Sequence, residues 1–232
     1  MSIDREKQIL EILLKEKKVN VRELAKALFI SEPSVRRDLQ SLEKQNLIKR
    51  IHGGAILEET ALSKNKIPFL LREYEQSSAK AIIAEKAVDL ISDNDVIFLD
   101  ASTSCYYLIP FLAAKRNLTV ITNGVKALTK LAEYDINTVS TGGALLNSCL
   151  ALVGDEAYKT IEKYNADIAF FSCRGVSESG HLTDISPEEN NVRRKMIKHS
   201  KKAYLLCARD KFGKSYFHNL CHESDIAGII HE

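Results

Sequence analysis

From Asp95 to the C-terminus, short apolar runs alternate with longer amphipathic stretches, a rhythm that few folds accept. The runs are VIFLD, LTVITN, NTVSTGG, ADIAFFSC, AYLLC and DIAGIIHE, and helices are predicted over 103–115, 125–133, 155–164 and 187–199. Apolar strands of this kind are buried on both faces, as in sheets covered by helices. The spacing predicts an α/β body with a mostly parallel sheet over residues 76–232, opened by the amphipathic helix AKAIIAEKAVDLI. No internal repeat or low-complexity tract interrupts it.

Ligands of such sheets collect beyond the carboxyl ends of the strands. Polar or glycine-containing turns fall at those ends: Asp100 to Ser104, Thr122-Asn123-Gly124, Thr141-Gly142-Gly143, Arg174-Gly175, and Lys211 after AYLLC. Ser102, Thr103 and Ser104 at a helix start offer hydroxyls and backbone N–H groups to an anion, and Lys211 adds a point charge. The expected ligand carries a phosphate, with Asp100 accepting from sugar hydroxyls. Each turn alone has a plainer reading as a cap or a tight bend; five on one edge favour a small-molecule site.

The first 57 residues have a different character. They hold 12 Lys or Arg against 8 Asp or Glu, whereas the remaining residues hold 21 against 23, so the basic excess of a chain with net charge +2 sits at one end. That asymmetry points to a polyanion partner for the leading module alone. Ile9, Leu10, Leu13 and Leu14 define one helix, and Val21, Leu24, Ala25 and Leu28 define a second. After the tight connection FISE comes a third, capped by Ser31 and tolerating Pro33 in its first turn. Val35, Leu39 and Leu42 give that helix its core direction. On the wheel Arg37, Gln40 and Lys44 point away from the core, with Ser34 and Arg36 on the flanks, a donor-rich face suited to phosphates and purine edges. The stretch LIKRIHGGAIL then reads as a β-wing that presents Lys49, Arg50 and His52. Residues 1–57 are thus expected to form a small winged helix-turn-helix domain, and the polar segment 58–75 a linker.

SEPSVRRDLQSLEKQNLIKRIHGGAI resembles the DNA-binding signature of the DeoR family of bacterial transcription regulators, in which paired arginines and a terminal Arg-x-His-Gly-Gly stretch are characteristic. The resemblance implies that Ser34, Arg36 and Arg37 work at double-stranded operator DNA with the wing in support, while Asp38 partners a nearby basic side chain. The body is similar to the family's effector domain, whose fold is like that of ribose-5-phosphate isomerase. The family's Asp-x-Gly-Thr-Thr turn is matched by Asp100-Ala101-Ser102-Thr103-Ser104, with Ser in place of Gly. Its Thr-Asn, Gly-Gly, Glu and Ser-Lys-Phe-Gly positions fall on Thr122-Asn123, Gly142-Gly143, Glu189 and Asp210-Lys211-Phe212-Gly213. The family's Asp three residues before the lysine is Ala208 here, and its Glu-Lys pair in the first body helix is Ala79-Lys80.

Two functions are compatible with these residues. In one, the chain is a regulator, a repressor of carbohydrate-metabolism genes, whose DNA binding responds to a phosphorylated sugar. In the other, the body is a sugar-phosphate isomerase carrying a nucleic-acid module, with Asp100, Glu189 and Lys211 as the groups available for proton transfer and enediolate stabilisation. The N-terminal block favours the regulator. One recognition helix reads a short half-site, so a dimer or higher homo-oligomer is expected. The five cysteines, Cys105, Cys149, Cys173, Cys207 and Cys221, include no CxxC pair and no His at ligand spacing, so neither metal nor cofactor is expected. They read as reduced core residues, with a reactive thiol at Cys105 as the alternative. No apolar run approaches the roughly 18 residues of a membrane span, and the charged start MSIDREKQIL points to a cytoplasmic protein with no membrane partner.

Overall fold

A computed structural model describes residues 2–44, 47–57 and 69–232. The chain divides into two compact units, residues 1–75 and 76–232.

The first unit opens with α1 (Ser2–Glu16), which buries Ile9, Leu10 and Leu13. A short strand, β1 (Lys18–Asn20), follows, and Asn20 caps α2 (Val21–Ala27) by accepting from the Arg22 N–H at 2.9 Å. Phe29 takes the left-handed conformation (φ 53°) in the tight connection to α3 (Glu32–Lys44), which buries Val35, Leu39 and Leu42 along one stripe. The wing is β2 (Ile48–Ile51) and β3 (Gly54–Leu57), and β1 completes a three-stranded antiparallel sheet in the order β1-β3-β2. That third strand explains the paired glycines. Gly53 turns the wing at φ +76°, and a side chain on Gly54 would place its Cβ 2.0 Å from the Val19 carbonyl oxygen on β1.

Residues 58–68 of the expected linker lie outside the described residues. The rest of that segment is ordered structure: α4 (Phe69–Tyr74) belongs to the first unit, with Leu71 fully buried among Ile9, Leu13, Leu39 and Leu57. The polarity of the segment conceals this short helix, whose burial rests on a few apolar side chains.

The second unit starts with α5 (Ser77–Val88) and continues through β4 (Val96–Leu99), α6 (Thr103–Leu112), β5 (Thr119–Thr122), α7 (Val125–Glu133) and β6 (Asn137–Ser140). A hairpin of β7 (Ala144–Leu146) and β8 (Ala151–Val153) leads into α8 (Asp155–Ile161) and β9 (Ala166–Phe171). Next come β10 (Gly175–Val176), β11 (His181–Asp184), α9 (Pro187–Lys198), β12 (Ser200–Leu206), β13 (His218–His222) and β14 (Gly228–Ile230). The main sheet has six strands in the order β14-β12-β9-β4-β5-β6, and every pairing in it is parallel. Alternate residues feed the two faces: Ile97, Leu99 and Val120 pack in the core that contains α5 and α6, while Phe98, Ile121 and Phe171 pack in the other. The hairpin β7-β8 and an antiparallel sheet β10-β11-β13 are the additions that the apolar rhythm did not foretell.

From β4 the chain proceeds to β5 and β6 on one side, and from β9 it proceeds to β12 and β14 on the other. The order reverses at the β4–β9 seam, and in open α/β sheets ligands bind beyond the carboxyl ends of the strands at such a reversal.

Candidate functional site

The basic face of the first unit is laid out as the wheel predicts. Arg36, Arg37, Gln40 and Lys44 are exposed on α3, Ser34 is half-buried, and Lys49, Arg50 and His52 are exposed on the wing. Their partners differ. Arg36 reaches Glu32 at 3.2 Å, and Arg50 is clamped by Glu43, with its Nε 2.6 Å from Oε2 and its backbone N–H 3.1 Å from Oε1. Those two bonds hold the Glu43 carboxyl below its ordinary range. Arg37 lies 3.4 Å from Ser34 Oγ, a neutral partner that leaves its charge uncompensated for a phosphate or a guanine edge. Asp38 faces the other way: it is buried, and the Arg5 guanidinium grips both its oxygens at 3.0 Å. This carboxylate fastens α1 to α3 and stays clear of the basic face.

In the second unit the polar turns gather at the switch-point edge. After β4 the chain turns at Asp100, and Ser102 caps α6 by accepting from the Cys105 N–H at 3.2 Å. Thr103 and Ser104 are its first helical residues, so their N–H groups have no acceptor within the helix. The turn after β5 packs directly on this one; a Cβ on Gly124 would lie 3.0 Å from Ala101 Cα, a tight contact that glycine avoids. Asn123 is buried between them. Its Nδ2 donates to the Leu152 carbonyl at 3.0 Å, which fixes the amide orientation, and its Oδ1 is buried with no hydrogen-bond partner among the described residues. Thr122 Oγ1 accepts from the Gly124 N–H at 3.1 Å. After β6, Gly142 and Gly143 both have positive φ, +65° and +111°, and a Cβ on Gly143 would collide with the Val153 carbonyl oxygen at 2.5 Å. On the far side of the seam Lys211, in a short 3-10 turn after β12, donates to Ser172 Oγ at 2.9 Å, and that hydroxyl donates to the Leu206 carbonyl at 2.7 Å.

Asp100 and Glu189 are placed differently from the rest. Both are buried against Arg193 of α9, whose Nε is 2.8 Å from Asp100 Oδ2 and whose Nη2 is 3.3 Å from Glu189 Oε1; Nη1 reaches Asp184 at 2.8 Å. Asp100 also accepts the Ser102 N–H at 2.9 Å and the Ser172 N–H at 3.3 Å, so both its oxygens are engaged within the protein. Glu189 Oε2 accepts from the Cys149 thiol at 3.1 Å. Burial pushes the Asp100 carboxyl up, but Arg193 and Ser102 outweigh it and hold the group below its ordinary value. Burial likewise opposes the Arg193 charge, and Asp184, Glu189 and Asp100 together hold its pKa well above the ordinary value. Two carboxylates so bound are poor general bases, because a proton arriving on either would cost an ion pair.

Arg193, Asp184 and Ser172 therefore belong to the site, and none was singled out from the sequence. The i,i+4 spacing of Glu189 and Arg193 on α9 was the available signal, although such pairs usually lie in solvent. The carboxylate missing at Ala208 is not replaced: Ala208 is buried, and Asp210 is exposed and 3.9 Å from Lys214.

These units define a class before any relative is considered, a helix-turn-helix DNA-binding module followed by an α/β unit with its polar turns at a switch point. Comparison with known families agrees: residues 5–61 match the DeoR-like helix-turn-helix domain and residues 75–232 the DeoR C terminal sensor domain. The chain belongs to the DeoR family of transcription regulators. It is 32% identical over 228 residues to the uncharacterized HTH-type transcriptional regulator YulB of Bacillus subtilis, covering 98% of this chain and 87% of that one. It is 32% identical to the L-fucose operon activator of Haemophilus influenzae (97% and 90% covered). Against the glycerol-3-phosphate regulon repressor of Escherichia coli it is 27% identical (93% and 85% covered). Among solved structures, eIF2B delta of Chaetomium thermophilum superposes with a TM-score of 0.52 at 19% identity, over 70% of this chain and 58% of that one, a likeness of fold alone. Ribose 5-phosphate isomerase a of Methanocaldococcus jannaschii gives 0.45 at 18% identity, over 59% of this chain and 54% of that one. The protein is a regulator rather than an enzyme. No helix among the described residues is long and apolar enough to cross a membrane.

Proposed function

We propose that this chain is a cytoplasmic repressor of carbohydrate-metabolism genes whose grip on operator DNA is altered by a phosphorylated sugar. The observation that carries the reading is the buried, unpartnered Asn123 Oδ1 beside the first turn of α6. An acceptor left unsatisfied in the interior costs about 1–3 kcal/mol, and a sugar hydroxyl is the kind of donor that would relieve it. The α6 N–H groups with Thr103 and Ser104 would take the phosphate, and Lys211 would add its charge once drawn from Ser172. Gly124, Gly142 and Gly143 let the backbone come close, and Thr122 shapes the turn. Asp100 and Glu189 contribute through Arg193, which leaves sugar hydroxyls to Asn123. On the DNA side Arg37, Gln40 and Lys44 would read the major groove with Ser34 and Arg36, and Lys49, Arg50 and His52 would hold the backbone. A dimer or higher oligomer would pair two recognition helices on a repeated half-site. Relatives with repressor and with activator names both exist, and steric exclusion by a DNA-bound dimer makes repression the simpler outcome. A thermal-shift series with aldose and ketose phosphates against their unphosphorylated parents tests the sensor: only the phosphates should raise the melting temperature. Equal shifts with the parent sugars would refute a phosphate site.

A further inference from the structure

Cys173 and Cys207 follow two neighbouring strands of the main sheet. β9 and β12 run parallel with Phe171 opposite Leu205, and one residue further Ser172 Oγ still bonds the Leu206 carbonyl at 2.7 Å. Continued two residues past Phe171 and Leu205, the same register sets Cys173 beside Cys207. Residues two apart share a face, and both cysteines pack with Phe171 and Leu205 in one core cluster. Strands in a sheet lie about 4.8 Å apart, inside the range of roughly 4.4–6.8 Å between Cα atoms that a disulfide spans. The Cys173 thiol also donates to the Gly175 carbonyl at 3.3 Å and the Cys207 thiol to the Ala208 carbonyl at 3.6 Å.

The chemistry of the pair is asymmetric. The neighbouring Cys207 thiol holds the Cys173 thiol below its ordinary value despite burial, with the Lys211 charge adding to the effect, while the same neighbour and burial push Cys207 far up. Cys173 is thus the more acidic of the two thiols. Cys105, the thiol that the sequence marks for reactivity, is pushed well above its ordinary value by burial and by the Asp100 charge; Cys221 is pushed up to about 12 by burial.

We infer that Cys173 and Cys207 are a reversible redox pair beneath Ser172 and Lys211, closed to an intramolecular disulfide by hydrogen peroxide. The Cys173 sulfur attacks one peroxide oxygen and the O–O bond breaks, giving a sulfenic acid and a hydroxide that leaves as water with a proton. The Cys207 sulfur then attacks the Cys173 sulfur and displaces the second oxygen, which leaves as water with the Cys207 proton. The two thiols lose two electrons and two protons, and the peroxide is reduced to two waters. A dithiol reductant reverses the change. The bond would pull the chain together on either side of Ser172 and Leu206, the contact that seats Lys211.

The full chain, native and pre-reduced, is treated with graded hydrogen peroxide, quenched with a maleimide in denaturant so that every free thiol is open, and mapped by mass spectrometry without reduction. The expected product has lost two hydrogens, has two fewer of its five thiols open to alkylation, and yields a peptide pair joined through Cys173 and Cys207. Dithiothreitol restores all five; Cys173→Ser and Cys207→Ser each abolish the product, and Cys221→Ser keeps it. The wild-type map needs no variant to fold. Five thiols still alkylated at every dose, a disulfide through any other cysteine, or a Cys173 sulfinic acid with no cross-link would overturn the inference.

Discussion

Arg193 Nε sits 2.8 Å from Asp100 Oδ2 and ties the middle of α9 to the end of β4, across 93 residues of sequence. The same guanidinium holds Asp184 and Glu189, so one cation serves three buried carboxylates. Arg193→Met should therefore lower the unfolding free energy of the second unit by about 3–5 kcal/mol near neutral pH, because it strands charge in the interior. Urea unfolding followed by circular dichroism measures it, and a loss of less than about 1 kcal/mol would show that the carboxylates are not held as described.

The same network fixes the sign of an acid transition. Asp100 has a folded pKa below its ordinary value of 3.8, so its contribution is present above that value and is lost as pH falls through the lower, folded one. Arg193, with a raised pKa, stays charged throughout the acid range. The wild-type unfolding free energy should hold steady on mild acidification and drop below about pH 4. In Arg193→Met the buried Asp100, left without its cation, prefers the protonated form, and stability should instead rise between about pH 7 and pH 5. Urea midpoints across pH should diverge in slope; parallel curves would sink the assignment.

Arg37 has no carboxylate beside it among the described residues, in contrast to Arg36 with Glu32 and Arg50 with Glu43. Arg37→Ala should weaken binding to a duplex selected from random sequence by about 1–3 kcal/mol and relax specificity at one position, with the response to sugar phosphates intact. Lys49→Ala should weaken all sequences alike and reduce the salt slope by about one. Fluorescence anisotropy over a salt series separates them, and unchanged affinity in Arg37→Ala would remove α3 from the groove.

The parts of this protein that were legible in its sequence are those where one periodicity covers a whole element. Val35, Leu39 and Leu42 mark α3 because a helix repeats within their spacing, and the run ADIAFFSC marks β9 because a strand buried on both faces has no polar side to hide. Hidden elements are short or depend on distant partners. β1 has three residues with one buried side chain, and its pairing with β3 is what requires Gly54. Arg193 reads as a surface helix residue until the fold brings Asp100 against it. Cys173 and Cys207 became neighbours only when β9 and β12 were set in register.

On the proposed reading, one chain couples a sugar-phosphate site at the β4–β9 seam to operator binding. The direct measurement is the Kd of the full chain for its selected duplex, at fixed salt, with and without a phosphorylated sugar that shifts its melting temperature, in wild type and Lys211→Ala. The sugar phosphate should change the wild-type Kd about fivefold or more, and Lys211→Ala should bind the duplex as wild type does but no longer respond. A Kd unmoved by a sugar phosphate that demonstrably binds, or a full response in Lys211→Ala, would contradict it.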